Sequence, residues 1–275
     1  MKAVILCAGH GTRLRPLTHY ISKAMVPVAG MPILEHIVRR LVEQGFTEQI
    51  IALSVFAEQV KHYFGDGSRF GAQIEYSVNT EPTGTAGEIA QMLQRRPHPP
   101  TPSPSDLPTN GASGGGRGGG HNSDREGQAS RSVDLEDYLL EGETDVLVHY
   151  GDILSDMDLR AMADEHLASE ADLTIGLVTG VEIHAGVADV EDDGRVSRFV
   201  EKPPLEVPTN AAIFVLGADA IERCAPGRDF SHDIFPEMIA EGRKVRGFVD
   251  ENAYWLDVGR LSDLDKANEF FGGAD

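Results

Sequence analysis

Apolar positions recur along the chain in two rhythms. Short, nearly unbroken apolar runs, "KAVILCA", "TEQIIALSV", "AQIEYSV", "DVLVHYGDIL", "ADLTIGLVT" and "NAAIFVL", predict strands buried on both faces. Helical spacing fills the intervals. In "PILEHIVRRLVEQG", Ile33, Ile37 and Leu41 share one face with Val38 and Val42, Pro32 opens the helix and Gly45 closes it. "AEQVKHYFG", "GTAGEIAQMLQRR", "MDLRAMADEHLASE", "DIFPEMIAEG" and "RLSDLDKANEFF" read as further helices. "AGVADVEDDGRVSRFVEKP" reads as two strands joined by an Asp-Asp-Gly turn, and "KVRGFVDENAYWLDVG" as extended chain. Strands alternating with helices predict an α/β fold: a Rossmann-like, doubly wound sheet, mixed because of an antiparallel portion in the second half.

One segment breaks both rhythms. Residues 97–132 hold eight glycines and six prolines, with Leu107 their only large apolar residue. Such a stretch buries too little surface to offset its ordering entropy. It is expected to be a disordered insertion in a single domain, followed by the short amphipathic "VDLEDYLLEG". No apolar run reaches the ~20 residues that span a bilayer. The N-terminal apolar run is too short for a signal peptide, so a cytoplasmic protein without a membrane partner is expected. Cys7 and Cys224 are the only cysteines, which gives neither a disulfide framework nor a metal-ligand spacing.

Charge changes the picture. The formal net charge is −20, and 18 of the 24 cations are arginine. An acid-rich, lysine-poor surface fits a protein working in concentrated salt, and its field opposes nucleic-acid binding. Against this background the first 34 residues contain no carboxylate and four cations, Lys2, Arg13, Arg15 and Lys23. At the chain's average frequency they would hold about five acidic residues. A positive island in a negative protein points to an anionic ligand. The loop "AGHGTRLRP" lies there, where a first parallel strand ends and where open α/β sheets bind ligands. Gly9 and Gly11 allow the backbone to approach a phosphate, and the Arg13 fork can clamp its oxygens. The loop lacks the Gly-Lys-Ser/Thr ending of a Walker A motif. Leu14 stands where a dinucleotide fingerprint has its third glycine, which argues against a dinucleotide-dependent oxidoreductase.

"GHGTRLRPLT", "KAMVPVAGMPIL", "GTAGEI", "HYGDIL", "GRVSRFVEKP", "TNAAIF" and "YWLDVG" follow one another in order. Together they resemble the signature of the sugar-nucleotide pyrophosphorylases, which join a nucleoside triphosphate to a sugar 1-phosphate. The resemblance covers all but the insertion. It implies the nucleotide-diphospho-sugar transferase fold and assigns roles. Arg13 and Lys23 would be catalytic. Ala8, Gly9, Gly11, Thr12, Asn79, Gly84 and Thr85 would bind the nucleotide. Gly186, Glu201, Lys202 and Asn210 would bind the sugar phosphate, and Asp152 and Asp257 would hold Mg²⁺. "GTAG" is most like the mannose-1-phosphate guanylyltransferases; thymidylyl- or uridylyltransferases of glucose 1-phosphate, or a non-catalytic nucleotide-sugar-binding paralogue, are the alternatives. Homo-oligomerisation is left open. Departures from the family pattern are Cys7 for alanine, Ser22 for proline, Ala185 for an aromatic and Ala212 for glycine. The family's longer members carry a C-terminal left-handed β-helix; no hexapeptide repeat occurs in this sequence.

Overall fold

The computed structural model describes residues 1–9, 11–79, 81, 83–94, 145–183 and 185–272. The insertion expected at 97–132 and the amphipathic segment after it lie outside these residues. The first half comprises β1 (Lys2–Cys7), α1 (Ile33–Glu43), β2 (Glu48–Leu53), α2 (Ala57–Phe64), β3 (Gln73–Val78) and α3 (Thr85–Gln94). The second half comprises β4 (Val146–Tyr150), β5 (Ile153–Ser155), α4 (Leu159–Ser169), β6 (Leu173–Val178), β7 (Val187–Val190), β8 (Val196–Val200), β9 (Thr209–Leu216), α5 (Ala218–Glu222), α6 (Phe235–Ala240), β10 (Val245–Asp250), β11 (Trp255–Asp257) and α7 (Leu261–Gly272).

Seven strands form the central sheet in the order β10-β6-β9-β4-β1-β2-β3. β1 is parallel to both β2 and β4, and β9 runs antiparallel to β4 and β6. This is the mixed α/β sheet expected from the alternating pattern. The chain moves outward from β1 to β3 and then returns to place β4 on the other side of β1. The reversal of strand order at β1 leaves a crevice at the carboxyl ends of β1 and β4. The glycine loop follows β1 and Asp152 follows β4, so the topology alone brings both to that crevice.

The apolar runs became core. Val4, Ile5, Ile51, Leu147, Val148, Ile213 and Phe214 are almost fully buried. Helix α1 packs its predicted stripe, Ile33, Ile37, Val38 and Leu41, into the same core. Each such side chain contributes about 1.5–3 kcal/mol by leaving water. Two segments differ from the pattern. "DVLVHYGDIL" is two strands instead of one: the chain turns at Gly151–Asp152, and β5 leaves the sheet to pair with β11. Gly151 sits against the Cys7 thiol, where a Cβ would collide, and its N–H donates to the Leu6 carbonyl at 2.9 Å. "DIFPEMIAEG" begins earlier, with a wide π-helical turn at Phe230–Ile234 capped by the Asp229 carboxylate.

His149 lies on β4 in register with Ile5 and Ile213 and is buried. Its Nδ1–H donates to the Tyr150 carbonyl at 2.8 Å. Burial pulls the imidazole down to about 4, with that hydrogen bond and Asp152 opposing. The depressed group contributes stability above its unfolded value near 6.5 and loses it as pH falls toward 4. The loss amounts to roughly 3 kcal/mol. Urea unfolding between pH 7 and 4 is expected to show a steeper fall for the wild type than for His149→Gln; parallel slopes would exclude His149 as the source.

Candidate active site

The first wall of the site is the turn after β1. Gly11 has φ +58°, and a Cβ there would approach Thr18 Cγ2 to 2.9 Å and Lys23 Cβ to 3.0 Å. Only glycine lets the turn rest directly on the Lys23 segment. The Thr18 hydroxyl donates to the Gly11 carbonyl at 2.7 Å and locks that contact. Thr12–Leu14 then form one helical turn that buries Leu14 and leaves the Arg13 guanidinium largely in solvent. Lys23 is the opposite case: its side chain is 11% exposed, and its stem is covered by the loop it supports.

The second wall is built by strand pairing. β5 and β11 are antiparallel with Asp257 opposite Ile153, and Val258 N–H donates to the Asp152 carbonyl at 2.9 Å. This short ladder sets side by side two aspartates that are 105 positions apart in sequence. Lys23 Nζ lies 2.6 Å from Asp152 Oδ2 and 3.8 Å from Asp257 Oδ1. Arg13 reaches within 4.0 Å of Asp257 Oδ2. Gly259 backs that guanidinium, since a Cβ would stand 3.3 Å from its Cζ and both Nη atoms. Burial, then the neighbouring Asp152, raise the Asp257 carboxyl above its usual range, outweighing Lys23 and Arg13. Asp257 Oδ1 is enclosed and accepts no hydrogen bond. Two adjacent carboxylates with an oxygen that accepts no hydrogen bond call for more positive charge than Lys23 and the exposed Arg13 supply.

A cavity of about 350 Å³ opens in front of this cluster. Its wall includes Ala8, Gly9, Gly84, Thr85, Tyr150 and Asp152. Gly84 has φ +79° and presses on the Arg228 carbonyl, which leaves no room for a side chain. The Thr85 hydroxyl donates to Asp229 Oδ2 at 2.7 Å and accepts from Phe230 N–H at 3.1 Å, tying the loop to the turn before α6. Asn79 is buried behind this wall. Its amide donates to the Thr83 hydroxyl at 3.1 Å and to Glu88 Oε1 at 3.3 Å, and its own oxygen accepts from Glu81 N–H. Burial pushes the Tyr150 hydroxyl up to about 12, so it meets the cavity as a neutral donor. Tyr150, Ser54, Glu81 and Glu88 were not singled out from sequence, although Ser54 and Tyr150 stand at the ends of β2 and β4, where the carboxyl-end rule looks.

Gly186, Glu201 and Lys202 form a separate cluster at the base of the β7–β8 hairpin. Gly186 lies under the Phe199 ring, and a Cβ there would come within 2.9 Å of Glu201 Oε2. Lys202 N–H donates to the Ala185 carbonyl at 3.3 Å. Asn210 stands on a bulge of β9; its Oδ1 accepts from Ala212 N–H at 2.9 Å and its amide donates to the Ser231 hydroxyl at 3.3 Å. Ala212 holds φ +56°, a left-handed conformation that glycine adopts without cost. The Trp255 indole donates to the Ala211 carbonyl at 2.9 Å, linking this bulge to β11. Among the described residues, no hydrogen bond or ion pair joins these four to the Lys23 cluster.

A second cavity, of about 710 Å³, is lined by Asp257, Arg13, Trp255, Arg260, Lys266 and Phe270 among others. No helix among the described residues is long and apolar enough to cross a membrane.

Comparison with known sequences decides the family. The profile described as "Nucleotidyl transferase" matches residues 2–96 and 121–272. The chain belongs to the nucleotidyl transferase family. It is 32% identical to a mannose-1-phosphate guanylyltransferase of Mycobacterium tuberculosis over 95% of this chain and 62% of that one. It is 29% identical to a UTP–glucose-1-phosphate uridylyltransferase of Synechocystis over 96% of this chain and 61% of that one. The chain thus spans about three fifths of the length of these curated relatives. HddC from Yersinia pseudotuberculosis, crystallised with GMP-PN, superposes with a TM-score of 0.64 at 23% identity, covering 98% and 99% of the two chains. That likeness extends the family's membership to its fold.

Proposed function

We propose that this protein transfers a nucleotidyl group from a nucleoside triphosphate to a sugar 1-phosphate, with GTP and mannose 1-phosphate as the preferred pair. The carrying observation is the contact of Lys23 with both Asp152 and Asp257 beneath a glycine-walled cavity. An oxygen of the sugar phosphate attacks the α-phosphorus. One P–O bond forms, the bond to the β-phosphate oxygen breaks, and pyrophosphate leaves. The reaction gathers negative charge and needs little covalent help, so positioned cations and backbone donors carry it. Lys23, packed against the Gly11 turn and paired with the two aspartates, would meet the α-phosphate. The exposed Arg13 meets the phosphates that leave. Gly9 and Gly11 let the backbone come close, and an acid-free loop avoids repelling two anionic substrates.

The residues fit a magnesium ion. Asp257 Oδ1 is enclosed and accepts no hydrogen bond beside Asp152, and carboxylate oxygens are the hard donors that Mg²⁺ takes. No group of three or more potential metal-ligating residues occurs among the described residues, so phosphate and water would supply the other positions. When bound, the ion would offset charge on the triphosphate. Gly84 and Thr85 would border the base, and Gly186, Glu201, Lys202 and Asn210 the sugar phosphate. The guanosine and mannose assignment rests on the "GTAG" motif and on the name of the relative at 32% identity. The acid excess and the free thiols Cys7 and Cys224 support a cytoplasmic, salt-adapted setting.

The test is a panel of nucleoside triphosphates against several sugar 1-phosphates with Mg²⁺ and high KCl, scored by pyrophosphate release. Fastest release is expected with GTP and mannose 1-phosphate. A preference for UTP with glucose 1-phosphate would replace the substrate pair, and no release from any pair would remove the catalytic reading.

A further inference from the structure

The two aspartates of the pair line different cavities. Asp152 lines the smaller one, where Gly84 and Thr85 border the proposed base site; Asp257 lines the larger one. Both carboxylates meet the same Lys23 ammonium, so an α-phosphate at that ammonium sits at the junction. In-line displacement sends the nucleophile and the leaving group to opposite sides of the phosphorus. The larger cavity therefore receives one of them.

Its arginines decide which. The wall holds the cations Arg13, Arg260 and Lys266 and the carboxylates Glu182, Asp257, Asp263 and Glu269. Lys266 is 2.7 Å from Glu182 and is committed there. Asp263 is buried and accepts from the N–H groups of Gly259 at 3.1 Å and Arg260 at 2.7 Å, so its charge serves the start of α7. Asp257 belongs to the pair. Arg260 has an exposed side chain and, among the described residues, no ion pair. It follows directly after Gly259, whose Cα supports the Arg13 guanidinium. Two arginines therefore line one cavity, in a protein that otherwise carries a large acid excess. None of Gly186, Glu201, Lys202 or Asn210 lines this cavity.

We infer that the larger cavity is the seat and exit of the pyrophosphate, and that Arg260 is its second arginine, pairing with Arg13 on the β- and γ-phosphates. A planar guanidinium matches phosphate oxygens two at a time, and two forks suit the paired groups of a pyrophosphate. The inference rests on the nucleotidyltransferase reading for its chemistry, but its test is an equilibrium measurement that does not depend on turnover.

Isothermal titration of the full chain with pyrophosphate in magnesium buffer, and separately with mannose 1-phosphate, would compare wild type with Arg260→Ala and Arg260→Gln. The Gln variant keeps the side-chain stem and removes the charge, which guards against a packing effect. Pyrophosphate Kd is expected to rise about five- to tenfold in both variants, as for loss of a partly exposed charge-assisted contact, with mannose 1-phosphate binding unchanged. Arg260→Lys is expected to recover part of the loss. Pyrophosphate affinity within twofold of wild type in both neutral variants would overturn the inference. So would a selective loss of mannose 1-phosphate affinity, which would give the cavity to the nucleophile. Wild-type turnover with the substrate panel reports on the nucleotidyltransferase reading by itself.

Discussion

Asp152→Asn is expected to yield a folded protein whose turnover is reduced by about 10³-fold or more, the scale of losing a central electrostatic contact in a preorganised site. The fold should survive for a local reason. The element that fixes this position is backbone: the Asp152 carbonyl accepts from Val258 N–H, and Gly151 N–H donates to Leu6. An asparagine keeps both bonds and the volume. It removes one of two adjacent carboxylates, which eases the repulsion that raises Asp257. Lys23 loses its 2.6 Å partner but keeps Asp257. Melting temperature is thus expected to stay within about 3 °C of wild type, a change of no more than about 1 kcal/mol for a domain of this size. A magnesium-dependent rise in melting temperature should be present in wild type and lost in the variant. Near-normal turnover in a folded Asp152→Asn protein would remove this residue from the chemistry.

Lys23→Met carries the second large effect, and here activity and stability should fall together. The ammonium is mostly buried and is the shared counter-charge of both aspartates. Removing it leaves two carboxylates facing each other with only the solvent-exposed Arg13, 4.0 Å from Asp257, as a counter-charge. Breaking a buried ion pair costs about 3–5 kcal/mol; partial exposure of both aspartates reduces that to about 2 kcal/mol here. Turnover should drop by about 10³-fold, since the group proposed to meet the α-phosphate is gone. The double variant Lys23→Met/Asp152→Asn discriminates between the two consequences. It should regain most of the lost stability, because the uncompensated charge has been removed, yet remain inactive. If the double variant were the less stable by the sum of both single effects, the two side chains would not be acting as one charge cluster.

The clustering of Arg13, Lys23, Asp152 and Asp257 was legible before any coordinates, through the family resemblance, and the structure brings the four into one charge cluster. The parallel order followed from unbroken apolar runs with short connections, because such strands must be covered on both faces. What the pattern could not show is long-range register. Nothing between positions 152 and 257 states that β5 and β11 pair; the resemblance joined the two aspartates, and the ladder supplies the physical reason. The break at Gly151 was hidden because Ile153 and Leu154 continue the apolar run. Only the fit of Gly151 against Cys7 reveals the turn. Asn79 illustrates another limit: a polar residue in a loop motif reads the same whether it faces a ligand or holds the loop from behind, as its bonds to Thr83 and Glu88 do here. Arg260 carries no local signal at all, and its interest comes from the cavity it shares with Arg13.

The proposed chemistry requires one arrangement: glycine loop, Lys23 and two aspartates around a magnesium-bound triphosphate. A crystal structure with Mg²⁺ and GTP carrying a methylene in place of the α–β bridging oxygen tests it most directly. The metal is expected between Asp152 and Asp257, the phosphates against Gly9–Arg13, and the base beside Gly84 and Thr85. A metal bound away from both aspartates, or a nucleotide seated elsewhere with the glycine loop empty, would contradict it.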